Sequence, residues 1–239
     1  MEKIGAVVLA AGQGKRMGTK VAKQFLELEG RPLITYALEA FEASPVDEVV
    51  LVTGEEEILY CREKIVKAFG FSKVVDIVPG GRERCHSVYE GLKAFCRRTS
   101  PAYVLIHDGA RPLVSREVIQ RSIQGAVRYG ACVAAMPVKD TIKIGDGDGF
   151  VSGTPDRAFL WQVQTPQAFS FRLVYGAYER MMEDPGAQGK ITDDAMAVEL
   201  ATGERVKLIL GDYQNIKVTT PEDLAVASLF LQGVTVQIP

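Results

Sequence analysis

Histidine and cysteine are scarce in this chain, with two and four copies among 239 residues. Cys61, Cys85, Cys96 and Cys132 form no C-x-x-C pair, and with His86 and His107 as the only imidazoles a Cys/His zinc site is not expected. A chain of this length buries roughly 70% or more of the surface it exposes when unfolded, so its core needs no covalent staples. The thiols are then expected to stay reduced, as in a cytosol. Long apolar runs are missing too. No stretch approaches the ~20 residues of a membrane span, and the apolar part of the opening MEKIGAVVLAAG is too short for a secretory signal. The expected location is cytoplasmic. Neither sign of charge is in excess: Lys and Arg number 28 against 30 Asp and Glu, a formal net charge of -2. That balance argues against a polybasic binder of nucleic acid and leaves room for a local basic site holding a small phosphorylated ligand. A composition of 47% hydrophobic and 24% charged residues with 23 Gly and 11 Pro excludes disorder and collagen. Repeats, low-complexity tracts and linkers are lacking, so residues 1–239 are expected to form one domain.

What the chain does have is a regular alternation. Residues 4–9 (IGAVVL) form a short, continuous, β-branched apolar run that suits a strand covered on both faces. Residues 48–53, 73–78, 103–107 and 131–135 have the same character. Helical patterns lie between them: Pro32 as a first helical residue with Leu33, Ile34, Ala37, Leu38 and Phe41 on one face, then 56–69, 84–97 and 116–129. The alternation predicts an α/β fold, a mainly parallel sheet sandwiched by helices, with ligand-binding loops at the carboxyl ends of the strands. After Pro137 the rhythm breaks. Residues 138–169 show no clear helix, and TIKIGDGDGFVSG reads as two short strands around a Gly/Asp turn, predicting a hairpin arm that stands off the sheet. The Asp146-Gly-Asp-Gly stretch lacks the glutamate that would close an EF-hand loop. Helices over 171–182, 193–201 and 221–231 and a strand over 206–210 complete the prediction.

The loop after the first strand, LAAGQGKRMG, holds Gly12, Gly14 and Gly18 with Lys15 and Arg16. Small residues let backbone N–H groups approach an anion, and the two cations add fixed charge. It is a candidate phosphate loop, although a dinucleotide fingerprint would need glycine at Met17 and no GxxxxGK[ST] occurs. A glycine-rich turn with solvated cations is the plain alternative. Lys23, in VAKQF, is placed to reach back to the same phosphates. In HDGARP, Asp108 falls at the carboxyl end of a strand, where a carboxylate suits a divalent cation bridging nucleotide phosphates. Arg111 offers a fork to a phosphate or a carboxylate; a helix cap with a structural salt bridge is the competing reading. His107 orients that loop or packs beneath it. In PGGRERCHSV, Gly80 and Gly81 would let a flat base lie against the backbone with Ser87 at its edge, and ordinary turn chemistry accounts for the glycines equally. KITDD marks a helix start with Thr192 or Asp193 as N-cap, and in NIKVTTPEDL Lys217 becomes a phosphate ligand if its strand reaches the rim.

Taken together and in this order, LAAGQGKRMG, AKQF, HDGARP, TPQAF, ITDD and NIKVTTPEDL resemble the 2-C-methyl-D-erythritol 4-phosphate cytidylyltransferase family of the non-mevalonate isoprenoid pathway, over essentially the whole length. The resemblance implies a Rossmann-like fold of the nucleotide-diphospho-sugar transferase type, with an arm exchanged across a homodimer. It implies that CTP and methylerythritol 4-phosphate, a sugar-alcohol phosphate, react in the presence of Mg2+ to give the CDP-linked methylerythritol and pyrophosphate. By correspondence, Arg16 and Lys23 carry most of the catalysis, Lys15 lies near the β- and γ-phosphates and Lys217 near the α-phosphate. Ala10, Ala11, Gly12, Gly14, Gly81 and Ser87 hold or read the nucleotide, while Asp108 organises Mg2+ and substrate. Thr141 and Arg157, on the arm, reach the sugar phosphate in the neighbouring subunit's site, joined by Arg111, Thr165 and Thr192. No nucleic-acid or membrane partner is implied. The chain departs from the family at Gly109, where alanine is usual, and at Val21-Ala22, where proline often precedes the lysine. Two alternatives stay open on the residues: a ribitol 5-phosphate (polyol-phosphate) cytidylyltransferase, in which valine often precedes the arginine of HDGARP, and a non-catalytic nucleotide-binding regulator.

Overall fold

The computed structural model describes residues 2–12, 22–98, 100–184, 186 and 191–233. In chain order the elements are β1 (Ile4–Ala10), β2 (Glu27–Leu28), β3 (Arg31–Pro32), α1 (Leu33–Glu42), β4 (Glu48–Thr53), α2 (Ile58–Tyr60), β5 (Val74–Pro79), α3 (Arg84–Arg98), β6 (Tyr103–Asp108), α4 (Arg116–Tyr129), β7 (Ala131–Pro137), β8 (Ile144–Gly145), β9 (Val151–Gly153), β10 (Trp161–Ser170), α5 (Phe171–Glu183), α6 (Asp194–Thr202), β11 (Lys207–Leu210) and α7 (Pro221–Leu231). Among the described residues the main sheet has the order β11-β7-β10-β6-β1-β4-β5, and every strand is parallel to its neighbours except β10, which runs antiparallel to both β6 and β7.

The continuous apolar character of β1 follows from its place. It lies between β4 and β6, with Val7 opposite Val50 on one side and Ile106 on the other. Its residues alternate between two buried layers. Ala6 and Val8 face Ile34, Leu38 and Phe41 of α1 and Val118 and Ile119 of α4, whereas Val7 faces Val88, Leu92 and Phe95 of α3 and, farther along that layer, Val174, Tyr178 and Val198 of α5 and α6. Each fully buried Val, Leu, Ile or Phe among them contributes roughly 1.5–3 kcal/mol relative to exposure. Gly91 lets α3 approach the sheet, since a Cβ there would stand 2.5 Å from Val7 Cγ1. At α4, Ser115 accepts from Val118 N–H at the start, and Gly130, at φ 78°, supplies the left-handed residue that ends it.

Three expectations are corrected. The helix over 56–69 is a 3-10 turn at Glu55–Glu57, a short α2 and a π-helical stretch at Cys61–Lys67, whose buried residues are Cys61 and Ile65. The off-sheet region expected over 138–169 is shorter, because Trp161–Ser170 is strand β10 of the main sheet. Its polar Gln162, Gln164 and Thr165 and its central Pro166 hide it in the sequence. The proline is accommodated at a register shift between Val163 and Gln167, where the ladder needs no N–H from it. The β8–β9 hairpin does form as its own two-stranded sheet. Lys217 lies in no strand. Its segment is pinned instead by Val218 N–H donating to Ala110 O at 2.8 Å and Arg111 Nη1 donating to Asn215 O at 2.7 Å.

Candidate active site

The carboxyl ends of β1, β5 and β6 open into a cavity of about 530 Å³, bordered by Ala11, Gly12, Lys23, Gly81, Asp108 and Lys217 among others. One wall is the turn after β5. A Cβ on Gly80 would lie 2.4 Å from the Ala11 side chain, and one on Gly81 would lie 2.3 Å from His86 Cβ, so this packing requires glycine at both positions. Gly81 N–H donates to Ser87 Oγ at 3.1 Å, and Ser87 Oγ donates to Glu83 O at 3.2 Å. The serine thus holds the glycine turn onto the first turn of α3 while bordering the cavity. On the opposite wall Lys23 begins a 3-10 turn. That turn is anchored by the Gln24 amide, which donates to Ala10 O, and by Phe25, which packs edge-to-face on Tyr60 at 5.3 Å. Gly14, Lys15 and Arg16 lie outside the described residues.

The cavity floor is a charge cluster. Asp108, at the end of β6, accepts from Lys217 Nζ at 2.6 Å and from Arg84 Nε at 3.1 Å. Burial alone would raise the Asp108 pKa, but Arg84 and Lys217 outweigh it and hold the carboxyl well below the usual carboxylate range. Arg84 in turn donates from Nη1 and Nη2 to both oxygens of Asp194, each at 2.8 Å, and Asp194 accepts from the Tyr178 hydroxyl at 2.5 Å. Burial opposes the charge on Arg84, yet Asp194 and Asp108 raise its pKa well above the ordinary value. The sequence reading missed Arg84, Asp194 and Tyr178. Arg84 sits inside PGGRERCHSV and Asp194 inside ITDD, but nothing local says that residues 110 positions apart form a bidentate pair.

A second hollow of about 310 Å³ adjoins the first and shares Arg84, Asp108 and Lys217 with it, adding Arg111, Thr165 and Thr192. Thr165 Oγ1 accepts from Asp108 N–H at 3.0 Å and lies 3.0 Å from His107 Nδ1, while His107 Nε2 lies 3.1 Å from Arg111 O. The carbonyl can only accept, so Nε2 carries the proton and Nδ1 accepts from the threonine. Burial pushes the His107 pKa down to about 4 and keeps the ring neutral. The histidine is therefore a strut beneath the HDGARP loop. Arg111 spends Nη1 on Asn215 O, so part of its fork is taken by the backbone. Asp193 is the N-cap of α6, and Thr192 precedes it at the hollow. Thr141 and Arg157 border neither cavity of this chain; Arg157 Nη1 donates to Lys139 O at 2.7 Å on the arm.

Asp108 does not fit the expected role of direct metal ligand. Both of its oxygens already accept from cationic side chains, and a divalent ion placed on them would sit against Arg84 and Lys217. Elsewhere, Glu83, Cys85 and His86 bring ligand-capable atoms within 4.8 Å of one another. Cys85 is buried with its thiol pKa raised, and His86 Nδ1 accepts from Glu83 N–H at 3.2 Å, so these atoms are engaged locally.

Residues 4–233 match the family described as 2-C-methyl-D-erythritol 4-phosphate cytidylyltransferase. A curated relative of that name from Lachnospira eligens is 47% identical over 229 residues, which span 95% of this chain and 99% of the relative. One from Pelotomaculum thermopropionicum is 48% identical over 234 residues, spanning 98% and 96%. The solved 4-diphosphocytidyl-2C-methyl-D-erythritol synthase of Anaerococcus prevotii matches with a TM-score of 0.83 at 34% identity, covering 97% of this chain and 96% of that one. The bifunctional IspDF protein of Campylobacter jejuni matches with a TM-score of 0.74 at 28% identity over 94% of this chain, which corresponds to 54% of its own length.

Proposed function

The chain belongs to the 2-C-methyl-D-erythritol 4-phosphate cytidylyltransferase family, and from that premise we propose how its residues divide the work. The enzyme is a nucleotidyltransferase of the isoprenoid pathway that joins CTP and 2-C-methyl-D-erythritol 4-phosphate, releasing pyrophosphate. An oxygen of the acceptor phosphate attacks the α-phosphorus. The bond from that phosphorus to the bridging oxygen breaks, and its electron pair leaves with pyrophosphate. No side-chain nucleophile is needed. The protein has to hold two anions in line and stabilise the charge that builds on the transferring and leaving groups.

The observation that carries the assignment of roles is that two adjoining hollows share Arg84, Asp108 and Lys217 at their junction. We assign the larger hollow to CTP, with its base against Gly80-Gly81 and Ser87 and its phosphates toward Lys23, Ala11 and Gly12. Gly14, Lys15 and Arg16 complete the phosphate loop in this proposal. The smaller hollow takes the sugar phosphate beside Arg111, Thr165 and Thr192. The reacting phosphates then meet over Lys217. Asp108, which stays ionised at any working pH, is no proton shuttle; it fixes the two cations and offers its remaining lone pairs to the acceptor's hydroxyls. Mg2+ in this reading is carried by the triphosphate's own oxygens, where it would supply charge neutralisation.

The assembly is a homodimer in which the arm crosses to the partner. Phe159 and Phe150, 81% and 72% exposed in the isolated chain, are side chains that a second subunit would cover. Thr141 and Arg157 would then meet the sugar phosphate of the partner's site. The test is a matrix of nucleoside triphosphates against polyol phosphates, read by pyrophosphate release. Turnover is expected with CTP and methylerythritol 4-phosphate in the presence of Mg2+. Turnover confined to ribitol 5-phosphate would move the acceptor assignment.

A further inference from the structure

We propose that Arg84 is a positioning residue for cytidylyl transfer, and that the buried pair Asp194 and Tyr178 sets its orientation, making the start of α6 part of the reaction geometry. The inference rests on the assignment of the two hollows to nucleotide and acceptor.

Arg84 spans the structure at one point. It is the first residue of α3, three positions after the glycine turn of the larger cavity. Its guanidinium divides its donors between two carboxylates, with Nη1 and Nη2 on Asp194 and Nε on Asp108. The group is planar and rigid, so the fork on Asp194 dictates where Nε points. Asp194 has a side chain with no exposure, at the N-terminus of α6 beside the Asp193 cap, and Tyr178 of α5 fixes one of its oxygens. The chain of contacts runs from Tyr178 to Asp194, to Arg84, to Asp108 and to Lys217. Rotating the guanidinium off Asp194 swings Nε away from Asp108. Asp108 is then free to turn about its side-chain bonds, and Lys217 loses the carboxylate that aims it at the junction of the hollows. The base contacts proposed at Gly80, Gly81 and Ser87 lie outside this chain of contacts, so the nucleotide keeps its main anchorage. The expected signature is therefore a loss in kcat with little change in KM for CTP.

The test uses the full-length protein and the pyrophosphate assay with CTP and methylerythritol 4-phosphate, well below the melting temperature of every variant. Asp194→Asn and Arg84→Lys are expected to lower kcat by more than about tenfold and to leave KM for CTP within about threefold. Tyr178→Phe, which keeps the ring and removes one hydrogen bond, is expected to lower kcat by about threefold, and combined with Asp194→Asn to add nothing further. Val198→Ala, a cavity in the same layer of α6, serves as the packing control; it is expected to lower the melting temperature and leave kcat unchanged. Wild-type kcat in Tyr178→Phe and Asp194→Asn would overturn the proposal, as would a kcat loss in Val198→Ala matching theirs. Should Asp194→Asn fail to fold, Tyr178→Phe against Val198→Ala decides alone. If the wild-type chain binds no CTP by calorimetry, the assignment of the hollows fails first and takes this inference with it.

Discussion

Lys23 and His107 illustrate two ways in which one side chain serves this site. Lys23 borders the larger cavity from a turn held by the Gln24 amide and Phe25, so these neighbours fix where its side chain starts. In the proposed mechanism its charge matters most as negative charge moves toward the leaving pyrophosphate. Lys23→Ala is accordingly expected to lower kcat by more than about tenfold with a modest loss of CTP affinity, measured by steady-state kinetics and calorimetry. Unchanged kcat would remove Lys23 from catalysis. His107 acts through the fold. Its folded-state pKa of about 4 lies below the ordinary 6.5, so between these values the unfolded chain binds a proton that the buried ring refuses. Stability from this residue is complete above about pH 6.5 and declines as pH falls, by about 3 kcal/mol once below the folded pKa. His107→Gln should be less stable than wild type near neutrality but show a shallower fall in melting temperature between about pH 6.5 and 4.5. Parallel pH curves would refute a neutral buried ring.

At the scale of elements, the site depends on how closely α3 approaches the sheet. Gly91 permits that approach, and Gly91→Ala would drive a methyl group into Val7. The expected cost is about 1–3 kcal/mol in denaturant unfolding, because the backbone of α3 must shift in a packed layer. The same shift carries Arg84 and Ser87 outward at the helix start, so the variant should also lose activity at temperatures where it remains folded. Elements whose pattern is local were legible beforehand. Glu48–Thr53 and Arg116–Tyr129 have the predicted boundaries, the first because Val49 to Val52 form a continuous apolar run covered on both faces, the second because an amphipathic stripe runs from a serine cap to a glycine. Trp161–Ser170 was not legible. Gln162 stays exposed, but Gln164, Thr165 and Gln167, which look outward in sequence, are buried in a polar core of their own, where Gln167 Nε2 donates to Asp193 and Thr165 supports Asp108.

For the whole molecule, the proposed dimer makes a prediction that no monomeric arrangement shares. Arg157 would serve the partner's site while Lys23 serves its own, so mixing Lys23→Ala and Arg157→Ala subunits should restore about a quarter of wild-type activity by statistical exchange. No recovery, with sedimentation showing mixed dimers, would place Arg157 in its own subunit's site. Net neutrality also acquires a sharper meaning at this scale. A formal charge of -2 over 239 residues conceals Lys23, Arg84, Arg111 and Lys217 gathered around two adjoining hollows that meet at Asp108. By itself the sequence determined the α/β layering, the strand-end loops and the family, because apolar periodicity and short motifs are local and survive without coordinates. Only the tertiary structure decided that Arg84 is held by Asp194, that Asp108 is committed to two cations rather than open to a metal, and that β10 lies inside the sheet. Each of these is a contact between segments distant in the chain, and its energy depends on burial and geometry that no stretch of sequence carries.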